Sequence, residues 1–168
     1  GQTKWHSGRV PSSPALFLAS GEHPAWLNDA VARRVRRRIL ERPLLEQLPR
    51  LERRADVRYF LGSPAALDEV RRHPRFVASG VSAADEYGAD IVALGVVEGY
   101  LPKEEVERLS YLFALREVEE LRANLILHAA AHWPFDGRRV APRAVVAADL
   151  ALSMSERTRR AGEKLLQT

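Results

Sequence analysis

At 168 residues, 46% apolar and 29% charged, the chain has the composition of one well-buried domain, or of a small domain with an appended element, which excludes wholesale disorder. No apolar run reaches the ~18–20 residues of a membrane span, the first residues lack the apolar core of a secretory leader, and the absence of cysteine excludes disulfides, thiolate zinc sites and cysteine nucleophiles. The net charge of +4 hides an asymmetry: residues 1–84 carry 15 Lys/Arg against 8 Asp/Glu (+7), residues 85–168 carry 11 against 14 (−3). The cytoplasm is the expected compartment, and a basic half is the electrostatic footprint of a surface that faces nucleic acid.

In chain order, residues 1–15 hold Gly8, Pro11, Ser12, Ser13 and Pro14 and read as a poorly ordered lead-in. A helix is expected from Pro24, because proline suits a first helical turn. Leu27, Val31, Val35 and Ile39 then recur every four residues as one apolar stripe, while Arg33, Arg34, Arg36, Arg37 and Arg38 take most of the remaining circumference. After Pro43, the residues Leu44, Leu45, Leu48 and Leu51 form a second helical stripe.

From Val57 the pattern changes. Residues 57–62 read as a strand, 65–72 as a helix ending before Pro74, and 76–80 as a second strand. A helix over 81–87 is closed by Gly88. Strands follow at 91–94 and 96–101, then a helix opened by Pro102 with Glu104 and Glu105 in its first turn, where the helix dipole favours acids. Residues 125–129 give a further strand, Pro142 opens a helix through Leu152, and Ser153 with Glu156 has the capping-box spacing for a last helix to Leu166. The fold class expected is α/β or α+β: a short-stranded mixed sheet packed by helices behind a basic helical N-terminal region. The division expected is 1–56 as the basic helical region and 57–168 as the α/β domain.

The arginine run carries the strongest chemical signal. On a helix, Arg33, Arg34, Arg36, Arg37 and Arg38 present guanidinium groups able to neutralise phosphates and to fork onto guanine edges. The bland alternative is a solvated face paired with Glu41 and Glu46. Asp85, Glu86, Asp90 and Glu98 cluster in sequence as the carboxylates of magnesium-dependent nucleases do, but no lysine completes the set neatly, since Lys103 lies beyond Pro102. A nuclease using Asp85, Asp90 and Glu98 is therefore the enzymatic alternative, and a protein-interaction module without nucleic acid is the other.

His128 and His132 are four apart, as in zinc-binding helices. Alanines fill the space between them, and on an extended strand residues four apart lie ~13 Å from each other. No metal and no cofactor are expected. The run Ser79-Gly80-Val81-Ser82 lacks the second glycine of a nucleophile elbow and reads as a strand-to-helix turn capped by Ser79 or Ser82. Trp26, Trp133 and Phe135 read as core or interface anchors.

Several segments together resemble a known family. They are Phe76-Val77-Ala78-Ser79-Gly80-Val81-Ser82-Ala83-Ala84 with Tyr87-Gly88, then Val97-Glu98-Gly99-Tyr100-Leu101 and Ala123-Asn124-Leu125-Ile126-Leu127. Trp133-Pro134-Phe135 with Val140-Ala141-Pro142, Val145-Val146-Ala147-Ala148-Asp149-Leu150 and Glu156-Arg157-Thr158-Arg159-Arg160-Ala161-Gly162 complete the set. Over about residues 70–166 the chain resembles the C-terminal domain of AbiEi-like antitoxins of type IV toxin–antitoxin systems and their actinobacterial transcription-regulator relatives. The resemblance implies a non-enzymatic, autoregulatory DNA-binding antitoxin. DNA, a cognate nucleotidyltransferase-type toxin and a second subunit are the partners it implies, with no membrane. Such proteins carry an N-terminal winged helix-turn-helix. Residues 1–56 depart from that pattern, so either a divergent DNA-binding unit stands there or that domain lies upstream of Gly1.

Overall fold

The computed structural model describes residues 12–51 and 55–167. The lead-in expected at 1–15 falls outside them as far as residue 11; from Ser12 the chain is helical. In chain order the elements are α1 (Ser12–Ala19), α2 (Asp29–Glu41), α3 (Leu44–Leu51), β1 (Asp56–Leu61), α4 (Pro64–Arg72), β2 (Val77–Ala78), β3 (Val97–Pro102), α5 (Lys103–Leu112), β4 (Arg116–Glu117), β5 (Leu125–Ala130), α6 (Arg143–Ala151) and α7 (Glu156–Gln167), with short 3-10 turns between some of them. The fold is α+β with one five-stranded mixed sheet, ordered β2-β3-β5-β1-β4.

The centre of the sheet is the parallel pair β3–β5, running from Val97 opposite Leu125 to Pro102 opposite Ala130. A parallel pair needs a crossover, and α5 supplies it, lying against both strands. β1 runs antiparallel to β5, and the two-residue strands β2 and β4 form the edges. Because helices cover both faces, every residue of β3 is buried.

Strand alternation divides the interior. On one face Phe60, Val97, Leu101, Leu125 and Leu127 pack with Leu67 and Val70 of α4 and Val106 and Leu109 of α5. On the other, Val77 and Tyr100 share a core with α6, with Ala15, Leu16 and Phe17 of α1, with Val35 of α2 and with Leu48 of α3. The N-terminal helices therefore sit on the same core as the sheet. α6 is walled in on all sides, with 144–151 buried throughout, and α7 lies directly on it through Gly162. α1 is tied to the start of α6 by the Ala144 amide, which donates to Ser20 Oγ at 2.9 Å.

Several sequence expectations move. The helix expected from Pro24 begins at Asp29, because 24–27 closes a turn (Leu27 N to Pro24 O, 3.0 Å) and Asn28 then caps the helix, its side chain accepting from Val31 N at 3.0 Å. Removing that cap in an Asn28→Ala variant is expected to cost about 1 kcal/mol of stability in denaturant unfolding. The strand expected at 76–80 shortens to Val77–Ala78, and the helix over 81–87 resolves into two 3-10 turns, Gly80–Ser82 and Asp85–Tyr87. Gly88 does close the second turn in the left-handed region, at φ +75°. Residues 91–94 form no strand: Ile91 is buried while Val92 and Leu94 are exposed. Nor does Ser153 cap the last helix. Its hydroxyl accepts from Ser155 N at 3.1 Å, and the Ser155 carbonyl takes the first helical bond, from Arg159 N, at 2.8 Å.

One ion cluster joins α5 to the end of α4. Glu105 Oε2 meets Arg108 Nη2 and His73 Nε2, each at 2.8 Å. The Arg108 hydrogen bonds, then that of His73, hold the Glu105 carboxyl below the ordinary carboxylate range. A depressed carboxyl contributes stability above its unfolded pKa that is lost as pH falls through the folded one. The stability gap between wild type and Glu105→Gln is thus expected to be present at neutral pH and to close on acidification below the ordinary glutamate range, as read by thermal unfolding across pH. A gap that stays constant down to strong acid contradicts this assignment.

Candidate functional site

Two groupings stand out, one on the surface and one buried. On α2 the apolar stripe turns inward: Ala32 and Val35 are buried and Val31 and Ile39 half-buried, while Arg33, Arg34, Arg36, Arg37 and Arg38 are all exposed. At 100° per residue the five stems cover about 200° of the circumference, with Arg33 and Arg37, and Arg34 and Arg38, stacked ~6 Å apart along the axis. Among the described residues none of the five joins an ion pair, so Glu41 and Glu46 do not neutralise them. Arg36 reaches only His23, Nη2 to Nδ1, at 3.4 Å. Guanidinium groups so placed can each meet a phosphate without first giving up a carboxylate.

The second grouping was not visible as a motif. Glu98 on β3, His128 on β5 and Asp149 on α6 are buried together with Ser79. His128 Nε2 lies 2.8 Å from Glu98 Oε2, and its Nδ1 is 3.9 Å from Asp149 Oδ1. Ser79 Oγ donates to Asp149 Oδ2 at 2.6 Å, and Tyr100 OH donates to the same carboxylate at 2.9 Å. The Tyr100 and His128 rings stack with centroids 4.6 Å apart, as their facing positions in the β3–β5 register require. Val81 N donates to Glu98 Oε1 at 3.0 Å. Gly80 permits this approach: at φ +51° it takes the left-handed conformation, and any Cβ there would overlap the Glu98 carboxylate.

Buried charges persist only when paired and hydrogen-bonded, and here the pairing spans three elements. The network therefore fixes α6 to the central strands. It opens on a small cleft of about 70 Å³ beneath the α6–α7 turn, lined in part by Tyr59, Glu120 and Thr158. Tyr59 OH donates to Glu120 Oε1 at 2.8 Å. Burial, and then this glutamate, push the Tyr59 phenol above its ordinary range.

No protein-family model, curated protein or solved structure matches the chain.

The remaining sequence candidates separate in space. Asp85 and Asp90 are exposed, whereas Glu98 is buried and engaged with His128. Among the described residues no three His, Asp or Glu side chains gather as a metal ion requires. His132 is exposed beyond the end of β5, so it shares no site with His128. Neither serine of the 79–82 turn caps it: Ser79 bonds Asp149, and Ser82 Oγ accepts from Glu98 N at 2.8 Å. Phe135 is buried against Phe17, Tyr100 and Trp133, and Trp26 donates to the Pro134 carbonyl at 3.1 Å. No helix among the described residues is long and apolar enough to cross a membrane.

Glu98 and His128 were singled out for other roles, and the network that joins them to Asp149 did leave a trace. Glu98, His128 and Asp149 each interrupt an otherwise apolar or small-residue run, and a polar group inside such a run must find a partner.

Proposed function

We propose that the chain is a DNA-associated regulator of antitoxin type, holding the phosphate backbone through Arg33, Arg34, Arg36, Arg37 and Arg38. The observation that carries this reading is the exposed, unneutralised arginine face of α2, mounted on a helix whose other side is anchored in the core. The resemblance over residues 70–166 supports the regulatory part. On that reading the α+β body engages a second subunit or a cognate toxin.

Counterion release sets the test. Five phosphate contacts predict a log–log slope of binding against salt of about −4.5, and Arg36→Ala, Arg37→Ala, Arg38→Ala together should remove about 2.7 of it. A mobility-shift series across salt concentrations reads both numbers. A flat salt response, or an unchanged affinity in the triple variant, rejects the proposal. Divalent-ion-dependent cleavage of the probe would replace it with the nuclease alternative.

A further inference from the structure

We propose that Leu40 is the base-contacting residue of α2, meeting thymine methyl groups on the floor of the DNA major groove while the arginines hold the phosphates of its two walls. This rests on the DNA reading above and adds to it a geometry and a base preference.

The geometry follows from how widely the arginines spread. Measured round the helix from Arg37, Arg36 stands about 100° to one side and Arg38 about 100° to the other, with Arg33 and Arg34 between them. A flat anionic surface, such as a lipid headgroup layer or a single phosphate backbone, meets one side of a helix and leaves guanidinium groups that point apart unused. Two walls of phosphate engage both flanks. The major groove of B-DNA offers them, since at ~12 Å wide it admits a helix ~10–12 Å across; the A-form groove of duplex RNA is too deep and narrow. α2 is placed to enter: the element it lies against most is α1, and its anchors are Val35, with Val31 and Ile39 packed beside it. Charge agrees. The five arginines share the helix with two exposed acids, Asp29 and Glu41, and Asp29 lies 3.5 Å from His23.

Leu40 is the anomaly on this face. Every other large aliphatic side chain of α2 turns to the core, yet Leu40 is 86% exposed. It follows Arg33 by seven residues and Arg36 by four, so it stands in line with them, about 60° from Arg37 on the side of Arg36. Single exposed leucines are ordinary; this one stands out by its place among guanidinium groups, on the part of the helix that faces the floor of a groove. A leucine has nothing to offer a phosphate. The apolar group that the floor presents is the C5 methyl of thymine. Glu41, about 40° to the other side of Arg37, also faces the floor, where cytosine amino groups suit a carboxylate as phosphates do not.

The test compares the full chain on two duplexes of alternating A·T sequence, one built with thymine and the other with uracil throughout, so that a methyl is present or absent at every base pair whatever the register. Fluorescence anisotropy at fixed salt should find the thymine duplex bound about fourfold tighter, the effect of burying one methyl-sized group. In Leu40→Ala the preference should vanish while the salt slope of wild type is kept. The side chain is exposed and alanine is the best helix former, so folding is not at stake. The inference alone is overturned if both duplexes bind equally with the expected salt slope, or if Leu40→Ala keeps the preference. If neither duplex shows salt-dependent binding, the DNA reading itself fails and takes the inference with it. Vesicles of phosphatidylserine and phosphatidylcholine form the last arm: binding that Leu40→Ala abolishes, with no preference between the duplexes, makes a lipid surface the partner and overturns the inference.

Discussion

Replacing His128 with alanine is expected to cost about 3–5 kcal/mol of folding stability, the range for removing one partner of a buried ion pair. The side chains of His128 and Glu98 are each only 7% exposed, so the deletion leaves the Glu98 carboxylate in the interior, with the Val81 amide still donating to it. It also removes the ring stacked on Tyr100. Changing both residues, as Glu98→Gln with His128→Gln, should cost less than His128→Ala alone, because the charge leaves with its partner. Chemical denaturation of the two variants makes the comparison. If His128→Ala loses under about 1 kcal/mol, Glu98 is not held as a buried anion, and the account of α6 being fixed by this network fails.

Gly162→Ala is expected to be nearly as damaging, about 3 kcal/mol, at the upper end of the overpacking range. A Cβ at this position would overlap the Ala151 amide nitrogen and lie 2.6 Å from the Ala147 carbonyl oxygen and 2.7 Å from the Leu150 carbonyl carbon. All three are backbone atoms of α6 or its end, so no rotamer change relieves the clash and α7 must lift away. Lys164→Ala, on the exposed side of the same helix, should stay within ~0.5 kcal/mol of wild type. Limited proteolysis adds a second reading: cleavage within α7 should accelerate in Gly162→Ala alone. Equal unfolding midpoints for the two variants would show that the α6–α7 contact gives way easily.

How far the sequence can be read depends on whether a signal is local. The stripe Val31, Val35 and Ile39 predicted which side of α2 turns inward, and the arginines fell on the other. The apolar 125–129 run predicted β5 because a strand buried on both faces has no need of alternation. α1 left no such signal. From Pro14 onward its segment SSPALFLA is apolar throughout, and a helix without a polar face has nothing to reveal its period. Residues 91–94 misled for a related reason: apolar residues in a row read as a strand, although Val92 and Leu94 face outward.

The buried network needed information that no window holds. Glu98 meets His128 only through the parallel β3–β5 register, and Asp149 joins them only once α6 is laid across the sheet. Conversely, Asp85 and Asp90 lie close to Glu98 in sequence, yet the loop ending at Val96 keeps them on the surface while Glu98 enters the core. Proximity along the chain was there a poor guide to proximity in space.

The place of β5 between β3 and β1 has a consequence for how the chain is made. Before Leu125 leaves the ribosome, the strand pairings available among the described residues are the two-residue ladders β1–β4 and β2–β3, too short to hold a sheet by themselves. Phe60, Val97 and Leu101 then have no finished interior to enter, and α1 must wait longer still for α6. The nascent chain thus carries its sticky segments unprotected until β5 emerges and closes late, when one strand joins both halves of the sheet.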